Sequence, residues 1–125
     1  EPSRVLSSPW LRCVQTVAPY VNEYSLTVKE KKSLSEAGAE RHPKRTAKTI
    51  ASLFEKGTPA LVCTHRPVLP VVLDAVAEHL LTKKQKEHLP AKDPYLEPGD
   101  ILVLQVSAYE RGGIVSAEVV RPFTD

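Results

Sequence analysis

Two short stretches of this sequence hold residues able to grip an oxyanion: "VLSSPWLRCVQT", Val5 to Thr16, and "LVCTHRPVL", Leu61 to Leu69. Each reads as an apolar strand running into polar side chains, a proline and then a helical pattern. The first leaves Ser7 and Ser8 before Pro9 and sets Arg12 in the opening turn of the helix. The second leaves Thr64, His65 and Arg66 before Pro67. A helix N-terminus presents free N–H groups and partial positive charge, so it attracts anions. A guanidinium adds a planar fork that bonds two oxygens at once, and an imidazole adds one more donor. If the two strands lie close in one sheet, Arg12 and His65 converge on a single phosphate at the carboxyl ends of the strands. Taken singly, an arginine in a first helical turn is ordinarily a solvated charge, and a histidine after a strand is ordinarily capped or on the surface. The matching design of the two junctions is what raises both.

These residues need elements to hold them. Arg4 to Ser7 reads as a short strand. Ser8 suits an N-cap and Pro9 a first helical turn. Leu11, Val14, Val17, Ala18 and Val21 then follow at helical spacing, toward an end near Tyr20 to Glu23, with Pro19 as a possible kink or earlier stop. "LTVKE", Leu26 to Glu30, is a second strand, and Lys31 to Arg41 a loop or short helical turn. Pro43 opens a helix through Ala47, Ile50, Ala51, Leu53 and Phe54, closed by Gly57. "ALVCT", Ala60 to Thr64, is a continuous apolar run of the kind buried on both faces of a parallel sheet. Pro67 opens the next helix, which runs to Leu80. Lys83 to Pro98 reads as a solvated polar loop. "DILVLQV" and "GIVSAEVV" read as two strands, with Gly112-Gly113 in their connection as a hairpin signal. Strands alternating with helices predict an α/β fold, a three-layer α/β/α sandwich with a mostly parallel sheet and an antiparallel edge hairpin.

Bulk composition narrows the function. The 125 residues suffice for one domain, and 42% hydrophobic content suffices for a core. The 17 basic and 15 acidic residues leave a formal net charge of only +2, which argues against a binder of nucleic acid polymers. No apolar run approaches the roughly 18 residues of a membrane span, and no signal peptide is visible. The two cysteines, Cys13 on a helix and Cys63 on a strand, lack metal-like spacing. They read as buried free thiols in a reducing, cytoplasmic setting.

"SSPWLRCVQT" followed by "VCTHRPVLP" resembles the histidine phosphatase superfamily, with its phosphoglycerate-mutase-like fold. That pattern is Ser-Ser-Pro, a few residues, Arg, then Gln-Thr, with a later Thr-His at a strand end. The closing "LEPGDILVLQV" and "GGIVSAEVV" are similar to the family's final hairpin, so the resemblance spans nearly the whole chain. The spelling is most similar to the C-terminal domain of actinobacterial MutT-type proteins, which join a Nudix hydrolase domain to a histidine phosphatase domain. The resemblance implies a phosphohydrolase acting on nucleotides, such as 8-oxo-dGTP, 8-oxo-GTP and dinucleoside polyphosphates. It implies no cofactor for this domain, and Mg2+ for an upstream Nudix domain. A general phosphomonoesterase and a catalytically inactive phosphate-binding module are the alternatives. A third reading, from the pattern alone, is an interaction domain whose Lys83 to Lys92 loop docks an acidic partner.

The mechanism implied is attack on phosphorus by a histidine, giving a phosphohistidine that water hydrolyses. Arginines and a second histidine hold the phosphoryl oxygens, and a carboxylate protonates the leaving oxygen. Carried onto this chain, Arg12 matches the second arginine and His65 the second histidine. Glu36, in "SLSE", resembles the proton donor, though a solvated glutamate is an equal reading. Arg66 is a further candidate for phosphate contact. The family's attacking Arg-His pair follows its first strand, upstream of "SSP", whereas Arg41-His42 comes after it and reads as a helix start. The chain, which begins at Glu1, is therefore expected to be the C-terminal part, residues 1–125, of one histidine phosphatase domain, without the family's first strand. A separate N-terminal segment or self-association is expected to complete it. Alone it is expected to bind phosphate weakly and to turn nothing over.

Overall fold

A computed structural model describes residues 2–107 and 113–121. The order is β1 (Arg4–Ser7), α1 (Leu11–Glu23), β2 (Val28–Glu30), α2 (Glu36–Arg41), α3 (Pro43–Lys56), β3 (Ala60–Cys63), α4 (Leu69–Ala77), β4 (Ile101–Val106) and β5 (Ile114–Val120). Single 3-10 segments at Lys32–Leu34, Arg66–Val68 and Lys83–His88 join these elements. The α/β class expected from the alternating pattern is the one observed.

The strands form a parallel sheet in the order β2-β1-β3 and an antiparallel pair β4-β5. β1 is central. Val5 faces Val28 on one side and Leu61 on the other, and Ser7 faces Glu30 and Cys63. In-register parallel pairing brings all three strand ends to one edge of the sheet. The chain leaves β1 through α1 toward β2, then returns past β1 to β3, so the crevice beside the end of β1 is a switch point, where open α/β sheets bind ligands.

Strand alternation divides the residues between two layers. Leu6, fully buried, joins Leu34, Ile50 and Phe54, Ala75 and Val76, and Ile114 in the main core, with Val62 packed against it. The other face, with Val5, Ser7 and Cys63, lies toward α1, whose Cys13 and Val17 are buried one turn apart. In α3, Thr46, Ile50 and Phe54 are buried at four-residue spacing, which sets an apolar stripe against the sheet. Gly57 ends α3 in the left-handed region at φ 68°, where a side chain costs energy.

Several local expectations are corrected. Ser8 does not cap the first helix; α1 begins at Leu11, and Trp10 holds the cap position with no side-chain cap. Ser8 instead lies fully buried at the strand end. Leu11, expected on the apolar face, is 68% exposed. The second strand is shorter than expected, Val28–Glu30. β3 is only half-buried along its whole length; it pairs with β1 alone among the described strands, so its outer edge has no neighbour. Pro67 lies in a 3-10 turn, and the α-helix starts at Leu69 with Pro70 in its first turn. The stretch after Lys31 is a 3-10 turn and then α2, capped by Ser35 Oγ, which accepts from the Gly38 N–H at 3.0 Å. Gly112 of the expected hairpin connection lies outside the described residues. Gly113 accepts from the Ser107 N–H at 2.8 Å.

Candidate active site

The two junctions singled out in the sequence end side by side. Beyond the last paired residues, Ser7 and Cys63, the Ser8 N–H still donates to the Cys63 carbonyl at 3.0 Å. Ser8 and His65 consequently meet, with His65 Nε2 2.8 Å from Ser8 Oγ. Ser8 Oγ also accepts from the Trp10 N–H at 3.4 Å. The half-buried imidazole lies over the thiol of Cys13, with Sγ 3.7 Å from Nε2 and 3.9 Å from Nδ1. The indole of Trp10 meets it edge to face, the ring centres 5.6 Å apart. Ser8, Cys13 and Trp10 thus hold the ring on three sides.

Above this cluster the N-terminus of α1 is open. No side chain caps it, and the Leu11 and Arg12 N–H groups find no backbone partner among the described residues. Such groups bear the positive end of the helix dipole. Arg12 is exposed on the same turn, and its side chain makes no hydrogen bond or ion pair among the described residues. The other candidates lie around the cluster rather than in it. Glu36 is the first residue of α2, half-buried, and also makes no hydrogen bond or ion pair among the described residues. Its turn is tied to the site through Thr64, whose hydroxyl donates to the Leu34 carbonyl at 2.5 Å. Arg66 is exposed and pairs with Asp93 at 3.8 Å. Arg41-His42 forms the junction between α2 and α3, with His42 at the cap of α3.

Three residues escaped sequence reasoning as partners of His65: Ser8, Trp10 and Cys13. The doubled serine before Pro9 was the available signal for Ser8. Nothing in the sequence signalled the approach of Cys13 and Trp10 to a residue more than fifty positions away. The two thiols are free, as expected, but Cys13 borders His65 as well as apolar groups. Burial, and then the adjacent Cys13 thiol, push the Cys63 thiol up to about 12. Among the described residues no group of three or more His, Cys, Asp or Glu could hold a metal ion, and no helix is long and apolar enough to cross a membrane.

Among solved structures, the chain is similar to the protein histidine phosphatase SixA complexed with tungstate. The match has a TM-score of 0.61 at 23% identity and covers 98% of this chain and 70% of that one. The fold is the histidine phosphatase fold. No family model matches the chain, and no curated protein does. Within this fold, the Ser8–His65 contact lies at the carboxyl edge of the parallel strands.

Proposed function

We propose that this chain is the phosphate-binding part of a phosphohydrolase of the histidine phosphatase type. The observation that carries the reading is the 2.8 Å contact between His65 and Ser8 beneath the open N-terminus of α1. The Leu11 and Arg12 N–H groups and the Arg12 guanidinium belong to the first turn of that helix, directly after Trp10, whose indole meets the His65 ring, and groups of these types suit a tetrahedral oxyanion. Similarity to a structure that holds tungstate, a tetrahedral oxyanion, supports the reading.

In this proposal Arg12 and His65 hold the phosphoryl oxygens and stabilise the charge that shifts onto them during transfer. Glu36, on the turn that Thr64 ties to β3, gives a proton to the leaving oxygen. Arg66 adds charge at the rim. The attacking histidine comes from a segment that pairs with the chain, or from a second copy of it; the edge of β3 that has no partner among the described strands offers such a segment a place in the sheet. The site itself needs no metal, and the Mg2+ of an attached Nudix domain would lie elsewhere. The substrate is a nucleotide phosphate, including oxidised guanine nucleotides, as the resemblance of "SSPWLRCVQT" and "VCTHRPVLP" suggests, and the setting is cytoplasmic. A phosphorylated protein histidine is a second reading, favoured by what SixA acts on.

Calorimetric titration with inorganic phosphate tests the site. Binding that Arg12→Ala and His65→Ala each weaken about tenfold or more supports it; each group contributes a charge-assisted hydrogen bond of this size. Binding unaffected by either substitution would refute it. Turnover of p-nitrophenyl phosphate by this chain alone would refute the need for a further segment.

A further inference from the structure

Trp10 is an unusual neighbour for a phosphate site. Its backbone caps α1 and its indole touches the His65 ring, yet the residue is 54% exposed. Leu11, next in the chain, is 68% exposed. Isolated exposed apolar residues are ordinary, but these two are consecutive and border the open helix end. Neither is needed to fill the core, which is built from other residues. The edge-to-face contact with His65 leaves indole surface open to solvent beside the space assigned to phosphate. An oxyanion on the Leu11 and Arg12 N–H groups would be held by the two residues that follow this ring in the chain.

We infer that Trp10 is a substrate-discriminating residue whose indole stacks on a planar aromatic ring attached through the phosphate-bearing group, with Leu11 as an apolar border. The ligand class is an aromatic phosphate such as a nucleotide, in preference to an aliphatic sugar phosphate. Stacking tolerates any planar base, because every base has a π-face. The contact with His65 couples the two halves of the site, since the ring that meets the base also supports the imidazole that meets the phosphate. This inference rests on the phosphate site proposed above and names the chemistry of the group beyond the phosphate.

Trp10 is the only tryptophan in the chain, so its fluorescence reports on the ring itself. Guanosine monophosphate, ribose 5-phosphate and inorganic phosphate are titrated against the chain, by fluorescence and by calorimetry. Guanosine monophosphate is expected to bind about tenfold or more tighter than ribose 5-phosphate, given the usual strength of base stacking on an aromatic side chain, and to quench the fluorescence. In Trp10→Leu the ratio of the two affinities falls to about one; because it is read as a ratio, any loss of phosphate affinity from the missing His65 contact cancels. In Trp10→Phe part of the difference returns. Equal affinities for guanosine monophosphate and ribose 5-phosphate, with inorganic phosphate bound, overturn this inference and leave the phosphate site standing. A preference that survives in Trp10→Leu also overturns it. Failure of all three ligands to bind overturns the phosphate site, and the stacking role with it.

Discussion

His65 Nε2 lies 2.8 Å from Ser8 Oγ, joining two residues that are 57 positions apart in the chain and follow the ends of two parallel strands. Ser8 is fully buried, and its hydroxyl also accepts from the Trp10 N–H. The contact sets the orientation of the imidazole and the start of α1 together. Ser8→Ala removes it, leaves His65 with the Cys13 thiol as its remaining hydrogen-bond partner among the described residues, and is expected to cost about 1 kcal/mol of stability. Phosphate affinity should fall with it. Urea denaturation and phosphate titration of the same variant check both, and unchanged phosphate affinity would count against a positioning role for Ser8.

Arg12 should behave differently. Its side chain is exposed and makes no hydrogen bond or ion pair among the described residues, so Arg12→Ala should leave stability within about 0.5 kcal/mol of the parent. Arg12→Lys keeps the charge but loses the planar fork, and should recover only part of the phosphate affinity. Full recovery would show that charge alone is what the site uses.

Cys63 gives the fold a pH dependence at high pH. Burial, first, and the Cys13 thiol, second, push it up from 9.0 to about 12. In the unfolded chain the thiol loses its proton as pH rises past about 9, whereas the folded chain keeps it until about 12. The unfolded state binds fewer protons across that window, so stability falls as pH rises through it. The loss in urea midpoint between pH 9 and pH 11 should be smaller in Cys63→Ala than in the parent. At neutral pH, alkylation of Cys63 should be much slower than that of a free thiol, since the thiolate is the nucleophile.

Thr46 is fully buried and its hydroxyl donates to the Ser33 carbonyl at 2.6 Å. This bond ties α3 to the turn that carries Leu34, Ser35 and Glu36. Thr46→Val keeps the shape but leaves that carbonyl unsatisfied, and should cost about 1–3 kcal/mol. Thr46→Ser should retain most of the stability, as measured by thermal or urea denaturation.

Two glycines should separate by mechanism. A Cβ at Gly38 would come within 1.9 Å of the Lys32 carbonyl oxygen, so Gly38→Ala must displace backbone. A Cβ at Gly57 meets nothing within 4 Å, but the residue sits at φ +68°. Gly57→Ala should therefore cost only about 1–2 kcal/mol, from the left-handed conformation alone. Gly38→Ala should cost more and should also perturb α2, visible in the amide spectrum around Glu36.

Much of the architecture was legible because it rests on local chemistry. Pro43 and Gly57 mark the ends of α3, and the buried positions of that helix, Ile50 and Phe54, recur at its period. The apolar runs at β3 and β4 and the polar segments between them gave the order of elements along the chain. Boundaries at the site were less legible. Ser8 has the chemistry of an N-cap, yet its hydroxyl is taken by His65 and the helix starts later. "ALVCT" has the apolarity of a fully covered strand, yet β3 has a neighbour on one side only among the described strands. In both cases a contact distant in sequence, or the lack of one among the described strands, outweighed the local preference.

By itself the sequence determined the alternation of strands and helices, the two polar junctions and the residue types able to hold an anion. These follow from periodicity and from the backbone needs of serine, proline and glycine. Only the tertiary structure decided that β1 and β3 are adjacent and in register, so that Ser7 stands opposite Cys63 and His65 comes to rest among Ser8, Cys13 and Trp10. The physical reason is that strand pairing and register arise from burying both faces of the sheet at once, a condition on the whole core that no short stretch of residues expresses.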